Sequence, residues 1–329
     1  MLRRHTSGVP LVSVVLIFLN EERYLEEAVQ SVLEQQLTDW ELILVDDGST
    51  DRSTLMARDL AAKDKRIRYI DHPGHQNLGM SASRNLGVSH VTAPYIAFLD
   101  ADDAWPPDKL AEQVAMLDAM PDVAMVVGAM LYWYSWDPAS TKVDCVVRMD
   151  VMEERRLEPP ERLVATLSPM GAPPTAGITG LVRHNAVKAV GGFEAGFRGL
   201  YEDQVFLAKI YLHYPIYISS QTGYCYRQHD SSCCRRASWI DRARVRSVYL
   251  QWLESYVGPF GDPRVLATVR RARRYGVLME AKAEAFNRLP DNWQRRVRWA
   301  KREVARIGLI RHTSAWEQCL DRSYDCFRA

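Results

Sequence analysis

Asp100-Ala101-Asp102 ends the apolar run Tyr95-Ile96-Ala97-Phe98-Leu99, and Asp103 follows at once. Carboxylates packed this densely at the end of a buried strand repel one another and are costly to desolvate. A bound cation relieves that cost, and hard divalent ions such as Mg²⁺ prefer oxygen ligands. An ion held by one or two carboxylates completes its shell with water and substrate phosphates. The pattern therefore predicts a metal that carries a diphosphate.

Four other clusters carry chemistry, each with a plainer reading beside it. Asp46-Asp47-Gly48-Ser49-Thr50-Asp51 follows Leu42-Ile43-Leu44-Val45. Its carboxylates can accept from a base imide and ribose hydroxyls, and Gly48 permits a tight turn before a helix N-terminus. A turn plus helix cap explains Gly48 to Asp51 as well, but not the paired Asp46-Asp47. Arg84, in Met80-Ser81-Ala82-Ser83-Arg84-Asn85-Leu86-Gly87, can meet a phosphate or base edge, although an Arg on a helix is commonly a solvated face. Glu202-Asp203 opens an apolar segment, where an acidic pair suits the helix dipole and can also supply a general base. In Tyr226-Arg227-Gln228-His229, His229 can ligate metal or contact a diphosphate and Arg227 can offset its charge; the plain alternative is a surface loop.

The elements that must position these groups alternate. Val12 to Leu19 reads as a strand and Glu21 to Gln36 as an amphipathic helix. Glu41 to Val45 is a second strand, and Thr50/Asp51 cap a helix reaching about Ala62. Ile67 to Ile70, a helix over Ser81 to Val88, Tyr95 to Leu99, a helix after Pro106-Pro107 and a strand from Val123 continue the series. This predicts an α/β fold with a mostly parallel sheet and helices on both faces, whose ligands bind at the carboxyl ends of the strands. From about Tyr132 to Pro174 the pattern reads as an irregular insertion. Ile178 to Val182 is a short strand, Glu202 to Tyr211 a helix and Ile216 to Tyr226 mostly strand. Beyond Ile240 the chain reads as helical and basic, with fourteen Lys/Arg against four Asp/Glu between Arg264 and Arg311.

Composition is that of a globular chain: 329 residues, 47% hydrophobic, formal net charge +1, which implies no nucleic-acid partner. Arg3 and Arg4 before Val9 to Leu19 outline a secretory signal, but no small-residue cleavage site follows and a buried strand explains the run better. Six cysteines without a C-x-x-C spacing read as reduced thiols in a cytoplasmic protein.

Taken in order, the strand-Asn-Glu-Glu start, Val-Asp-Asp-Gly-Ser-Thr-Asp, Ser-Arg-Asn-x-Gly, Phe-Leu-Asp-Ala-Asp-Asp, Gly191-Gly192-Phe193, Glu202-Asp203 and Tyr-Arg-x-His resemble the family 2 glycosyltransferases over roughly Leu11 to Ser232. The resemblance implies a GT-A, Rossmann-like fold in residues 1–236, with a nucleotide-sugar half at about 10–127 and an acceptor half at about 128–236. Residues 237–329 would form a basic helical region. It implies that Leu19, Asn20, Glu22, Asp46, Asp47, Arg84, Asp100, Ala101 and Asp102 bind the nucleotide sugar. Asp102, Asp100 and His229 would hold Mg²⁺ or Mn²⁺, with Arg227 and His229 near the diphosphate. Asp203 matches the base and Glu202 its support. The implied reaction is inverting transfer of one sugar from a nucleoside-diphosphate donor, most often UDP, to a glycan, lipid-linked saccharide or small-molecule acceptor. The basic C-terminal helices, with Trp293, Trp299 and Ile307, could contact an anionic membrane peripherally, but a solvated helical appendage or a subunit contact is the favoured reading. The chain lacks a Gln-x-x-Arg-Trp element. A phosphatase of the haloacid dehalogenase type, a nucleotidyltransferase and a non-catalytic nucleotide-sugar binder are the competing readings.

Overall fold

A computed structural model describes residues 8–148, 154–167, 178–288, 290, 292, 293 and 296. Its sheet begins with β1 (Val12–Phe18), β2 (Trp40–Asp46), β3 (Ile67–Asp71) and β4 (Tyr95–Asp100), in spatial order β3-β2-β1-β4 and all parallel. Every residue of β1 is buried. A strand flanked on both edges and covered on both faces has no solvent side, so its sequence, Val-Ser-Val-Val-Leu-Ile-Phe, does not alternate strictly. The register places Asp46 beside Phe18 and Asp100 beside Ile17, so both acidic turns leave the sheet at the same edge.

The helices between these strands are α1 (Leu25–Leu33), α2 (Ser53–Lys63), α3 (Met80–Ser89) and α4 (Lys109–Ala119). Gly87 lets α3 lie against β1; a Cβ there would sit 2.4 Å from Val15 Cγ1. The first helix starts later than the sequence pattern predicts. Asn20 is left-handed (φ 57°), and the backbone N–H groups of Glu21 and Glu22 donate to Ser53 Oγ and Asp51 Oδ2. Those peptides face the neighbouring loop, so helical geometry begins only after Tyr24. The cap predicted at Thr50/Asp51 also shifts: Asp51 Oδ1 accepts from Ser53 N, and α2 starts at Ser53.

The second half departs further from expectation. β5 (Met125–Trp133) runs well beyond Val127, and the stretch read as irregular contains β6 (Cys145–Val147), β7 (Arg155–Leu157) and α5 (Glu161–Thr166). Residues 149–153 and 168–177 of that stretch lie outside the described residues. β8 (Leu181–Arg183) enters antiparallel between β4 and β5, pairing Tyr95–Ala97 on one side and Met125–Val126 on the other. After α6 (His184–Ala189) and α7 (Glu202–His213), β9 (Ile216–Arg227) pairs parallel with β5. The completed order is β3-β2-β1-β4-β8-β5-β9-β7, with β6 on β5, and only β6, β7 and β8 run against the other strands.

A short α8 (Cys233–Arg236) leads to α9 (Trp239–Val257) and α10 (Pro263–Asn287). α9 begins with a capping box between Ser238 and Asp241. Its Tyr249, Leu250, Leu253 and Val257 belong to the same buried cluster as the sheet. Trp299 and Ile307 lie outside the described residues.

Candidate functional site

The first acidic turn is held by neutral donors. Asp46 is fully buried and accepts from Ser49 N (2.7 Å), Thr54 Oγ1 (2.6 Å) and Tyr69 OH (3.2 Å). Asp47 accepts from Leu78 N, Gly79 N and Ser83 Oγ at 2.8–3.0 Å. Two glycines make this possible. Gly48 (φ 84°) would place a Cβ 2.8 Å from Asn77 N, and Gly79 (φ 93°) would place one 2.9 Å from Arg198 Cβ. Asn20 and Glu22 tie the adjacent loops: Asn20 Oδ1 accepts from Thr50 N, and Glu22 Oε2 from Arg52 N. Leu19 is exposed at the end of β1.

The second turn is met by basic side chains. Asp100 accepts from Arg84 Nη2 at 2.6 Å, and Asp102 Oδ2 lies 3.0 Å from His229 Nε2. Ala101 between them is buried. Asp103, absent from the sequence-derived set, is also buried and accepts from Arg227 N at 2.7 Å. Burial pushes the Asp103 carboxyl well above its ordinary range, with Asp102 and Asp100 adding to the effect. Asp100 shifts up for the same reason, against the pull of Arg84.

Arg84 joins this turn to α7. Its guanidinium is buried and sits between Asp100 and Glu202, and it also lies over the Phe193 ring, 5.6 Å from the centroid. Glu202 Oε2 is buried without a hydrogen-bond partner among the described residues. Burial raises the Glu202 carboxyl to about 8, opposed by Arg84 and reinforced by Asp203 and Asp100. Asp203, next along the first turn of α7, is less enclosed than Glu202 and accepts from Gln204 N at 2.7 Å. Burial lifts its carboxyl too, with Arg84 opposing. Tyr201, left-handed at φ 68°, turns the chain into α7 so that the pair enters the site. Phe193 stacks on Phe206 of α7 with centroids 4.4 Å apart, and both rings meet Phe98 of β4.

Arg227 and His229 close the edge from β9. His229 Nδ1 lies 2.7 Å from Ser231 Oγ, which fixes the ring whose other nitrogen faces Asp102. Arg227 is 2% exposed; its Nε donates to the Asp102 carbonyl and its Nη2 pairs with Glu27.

Glu21 also escaped the sequence reading, which chose its neighbour Glu22. Burial raises its carboxyl to about 8, and Asp102, Asp51 and Asp100 push the same way. The signal was the doubled acid after β1; the left-handed Asn20, which shifts the chain out of helical phase, decides which of the two faces the second turn.

Among the described residues, no three His, Cys, Asp or Glu side chains converge closely enough to hold one ion. The donor chemistry nevertheless fits a hard cation. Asp102 is one-fifth exposed beside the His229 imidazole, and Asp100, Glu21, Glu202 and Asp203 add carboxylates beyond what Arg84 and Arg227 offset. The structure therefore brings the predicted catalytic, metal and diphosphate residues to one edge. Asp46, Asp47, Asn20 and Glu22 lie at that edge as well, but their oxygens are engaged within the loops.

Residues 13–144 match the family model "Glycosyl transferase family 2". Among curated proteins, the chain is 38% identical over 114 residues to Bacillus subtilis TuaG, a glycosyltransferase named for teichuronic acid biosynthesis, covering 34% of this chain and 44% of that protein. The chain spans less than half the length of the first curated relatives it matches. Staphylococcus aureus TarS 1–349, solved in complex with UDP-GlcNAc, superposes with a TM-score of 0.62 at 18% identity, covering 86% of this chain and 77% of that one. The Pyrobaculum calidifontis mannosyltransferase PcManGT, solved with GDP-Man and Mn²⁺, superposes with a TM-score of 0.57 at 17% identity, covering 93% and 83%. At such identities these two show a shared fold.

Proposed function

We propose that this chain, which carries a family 2 glycosyltransferase domain over residues 13–144, moves one sugar from a nucleoside-diphosphate sugar to an acceptor hydroxyl with inversion. The observation that carries the reading is the buried Arg84, bracketed by Asp100 of the metal turn and Glu202 of the acidic pair. That bridge supports reading the acidic turn and the Glu202-Asp203 pair as parts of one connected site. A phosphatase or a simple binder has no need of that second pair.

Asp203 is the base. A carboxyl lifted toward neutral pH holds a proton better than a free aspartate while remaining able to accept one. It takes the acceptor hydroxyl proton as that oxygen attacks the anomeric carbon from the face opposite the leaving diphosphate. Glu202 holds Arg84, and Arg84 holds Asp100. Asp102, beside Asp100 and His229, would hold Mg²⁺ or Mn²⁺, which would supply the positive charge that offsets the charge developing on the leaving group. Asp46, Asp47, Asn20 and Glu22 act as the scaffold of the donor pocket, with Leu19 exposed at its rim.

UDP and GDP are the first donors to test, since TarS was solved with UDP-GlcNAc and PcManGT with GDP-Man. The TuaG likeness favours a cell-surface glycan or its lipid-linked precursor as acceptor. No described helix is long and apolar enough to cross a membrane. We assign membrane contact to the face of α10 where Arg274, Val277 and Leu278 are exposed. Flotation with phosphatidylglycerol vesicles, lost in Val277→Asp/Leu278→Asp, supports that contact; unchanged flotation removes it.

The deciding experiment is calorimetry with UDP, GDP, dTDP and CMP, each with and without Mn²⁺. Metal-dependent binding of one diphosphate, abolished by Asp102→Ala, is expected. No binding under any condition would refute the proposal.

A further inference from the structure

We propose that Arg227 is a positioning residue that clamps the Asp100–Asp103 turn, aiming Asp102 at His229 and at the metal. The inference rests on the metal-dependent reading above and assigns Arg227 a task other than contact with the diphosphate.

The side chain has the surroundings of a structural bolt. It lies at the end of β9, in register with Trp133 at the end of β5, and is 2% exposed. Its guanidinium carbon is 4.4 Å from the Trp133 ring centroid, 4.9 Å from Tyr24 and 5.1 Å from Trp136. Rings set around a desolvated guanidinium stabilise it and exclude water. Within that cage, Nε donates to the Asp102 carbonyl at 2.6 Å, and the backbone N–H of Arg227 donates to Asp103 Oδ1 at 2.7 Å. The same residue therefore holds two consecutive positions of the turn. Nη2 pairs at 2.6 Å with Glu27 in the first turn of α1.

Three pieces of chain distant in sequence are thus tied together: the start of α1, the acidic turn after β4, and the paired ends of β5 and β9. Glu27 is half exposed, so it is the member of the clamp that can be changed without opening the core. A diphosphate ligand needs guanidinium nitrogens turned toward the ligand. Here two nitrogens are committed within the protein, and the plane is enclosed by rings. Groups that orient metal ligands in this way typically change metal affinity by about 10–100-fold when removed.

The test uses the full chain carrying Glu27→Gln, with Arg227→Lys as a second variant. Three quantities are read: the Mn²⁺ concentration for half-maximal transfer at saturating donor, the donor KM at saturating Mn²⁺, and amide exchange of residues 100–104 without metal. A clamp predicts a Mn²⁺ midpoint raised about tenfold in Glu27→Gln, with kcat and donor KM at saturating Mn²⁺ nearly unchanged. Exchange in the turn quickens while β1 and β2 stay protected. An unchanged midpoint with unchanged exchange in Glu27→Gln overturns the proposal. So does a raised donor KM at saturating Mn²⁺ with an unmoved midpoint in Arg227→Lys, because that pattern marks a diphosphate ligand. If the wild-type protein binds neither Mn²⁺ nor any nucleoside diphosphate, the transferase reading fails, and the exchange measurement alone decides whether Arg227 holds the turn.

Discussion

Two acidic turns leave neighbouring strands at the same edge, yet they are built in opposite ways. Asp46 and Asp47 accept hydrogen bonds from hydroxyls and backbone N–H groups, with the His72 imidazole 3.6 Å from Asp47. Asp100, Asp102 and Asp103 are met by Arg84, His229 and the backbone of Arg227, with further carboxylates close by. Carboxylates given neutral donors are anchored to the fold. Carboxylates crowded together and compensated by cations are poised to exchange a partner for an ion or a proton. The first turn holds the loops in place, and in the function proposed above the second is where charge moves.

Removing the proposed base should separate the two most sharply. Asp203→Asn is expected to lower kcat by about 10²–10⁴-fold while nucleotide binding and melting temperature stay close to wild type. Near-normal transfer by a folded Asp203→Asn would move the base elsewhere. Asp47→Asn is the converse. It weakens the hold on Leu78 N, Gly79 N and Ser83 Oγ, so unfolding should become easier by about 3 kcal/mol. The Mn²⁺ midpoint should not change; a shift there would show that the first turn also handles the ion.

Gly79→Ala strains the left-handed loop that Asp47 anchors and meets Arg198 Cβ. A loss of about 2 kcal/mol is expected in chemical denaturation. A further effect depends on pH. Burial, with Asp102 beside it, pushes the Glu21 carboxyl up from its ordinary 4.5 to about 8. The folded protein therefore binds its proton more tightly than the unfolded chain, and stability falls as pH rises from about 4.5 to about 8. Glu21→Gln should flatten that part of a stability–pH curve, and saturating Mn²⁺ should flatten it in the wild type. Identical curves for all three samples would mean that Glu21 does not sense the second turn.

Much of the first half was legible because each element announces itself locally. The apolar runs of β1, β2 and β4 are buried strands, and each acidic motif falls where its run ends. What could not be read depends on contacts between distant residues. The strand near Val182 was expected, but nothing in three residues says that β8 runs antiparallel between β4 and β5. The pairing of Arg84 with Glu202 and the enclosure of Arg227 by Tyr24, Trp133 and Trp136 arise the same way. Local periodicity reports which face of an element is buried, not which remote side chain arrives there. Glu21 was missed for a narrower reason, one left-handed residue that moves the chain out of helical phase.

The placement of β8 also bears on how the chain is made. β4 and β5 follow each other in sequence but never pair; Leu181–Arg183 must come between them. A chain emerging from the ribosome can assemble β1 to β4 by neighbouring crossovers as they appear. Until residue 183 has emerged, however, β4 is an open edge strand carrying the acidic turn at its end, with unpaired backbone groups able to bind another nascent chain. The interval between synthesis of residue 100 and of residue 183 is therefore when this protein is most exposed to misassembly, and slowing translation there should increase aggregation of the newborn chain.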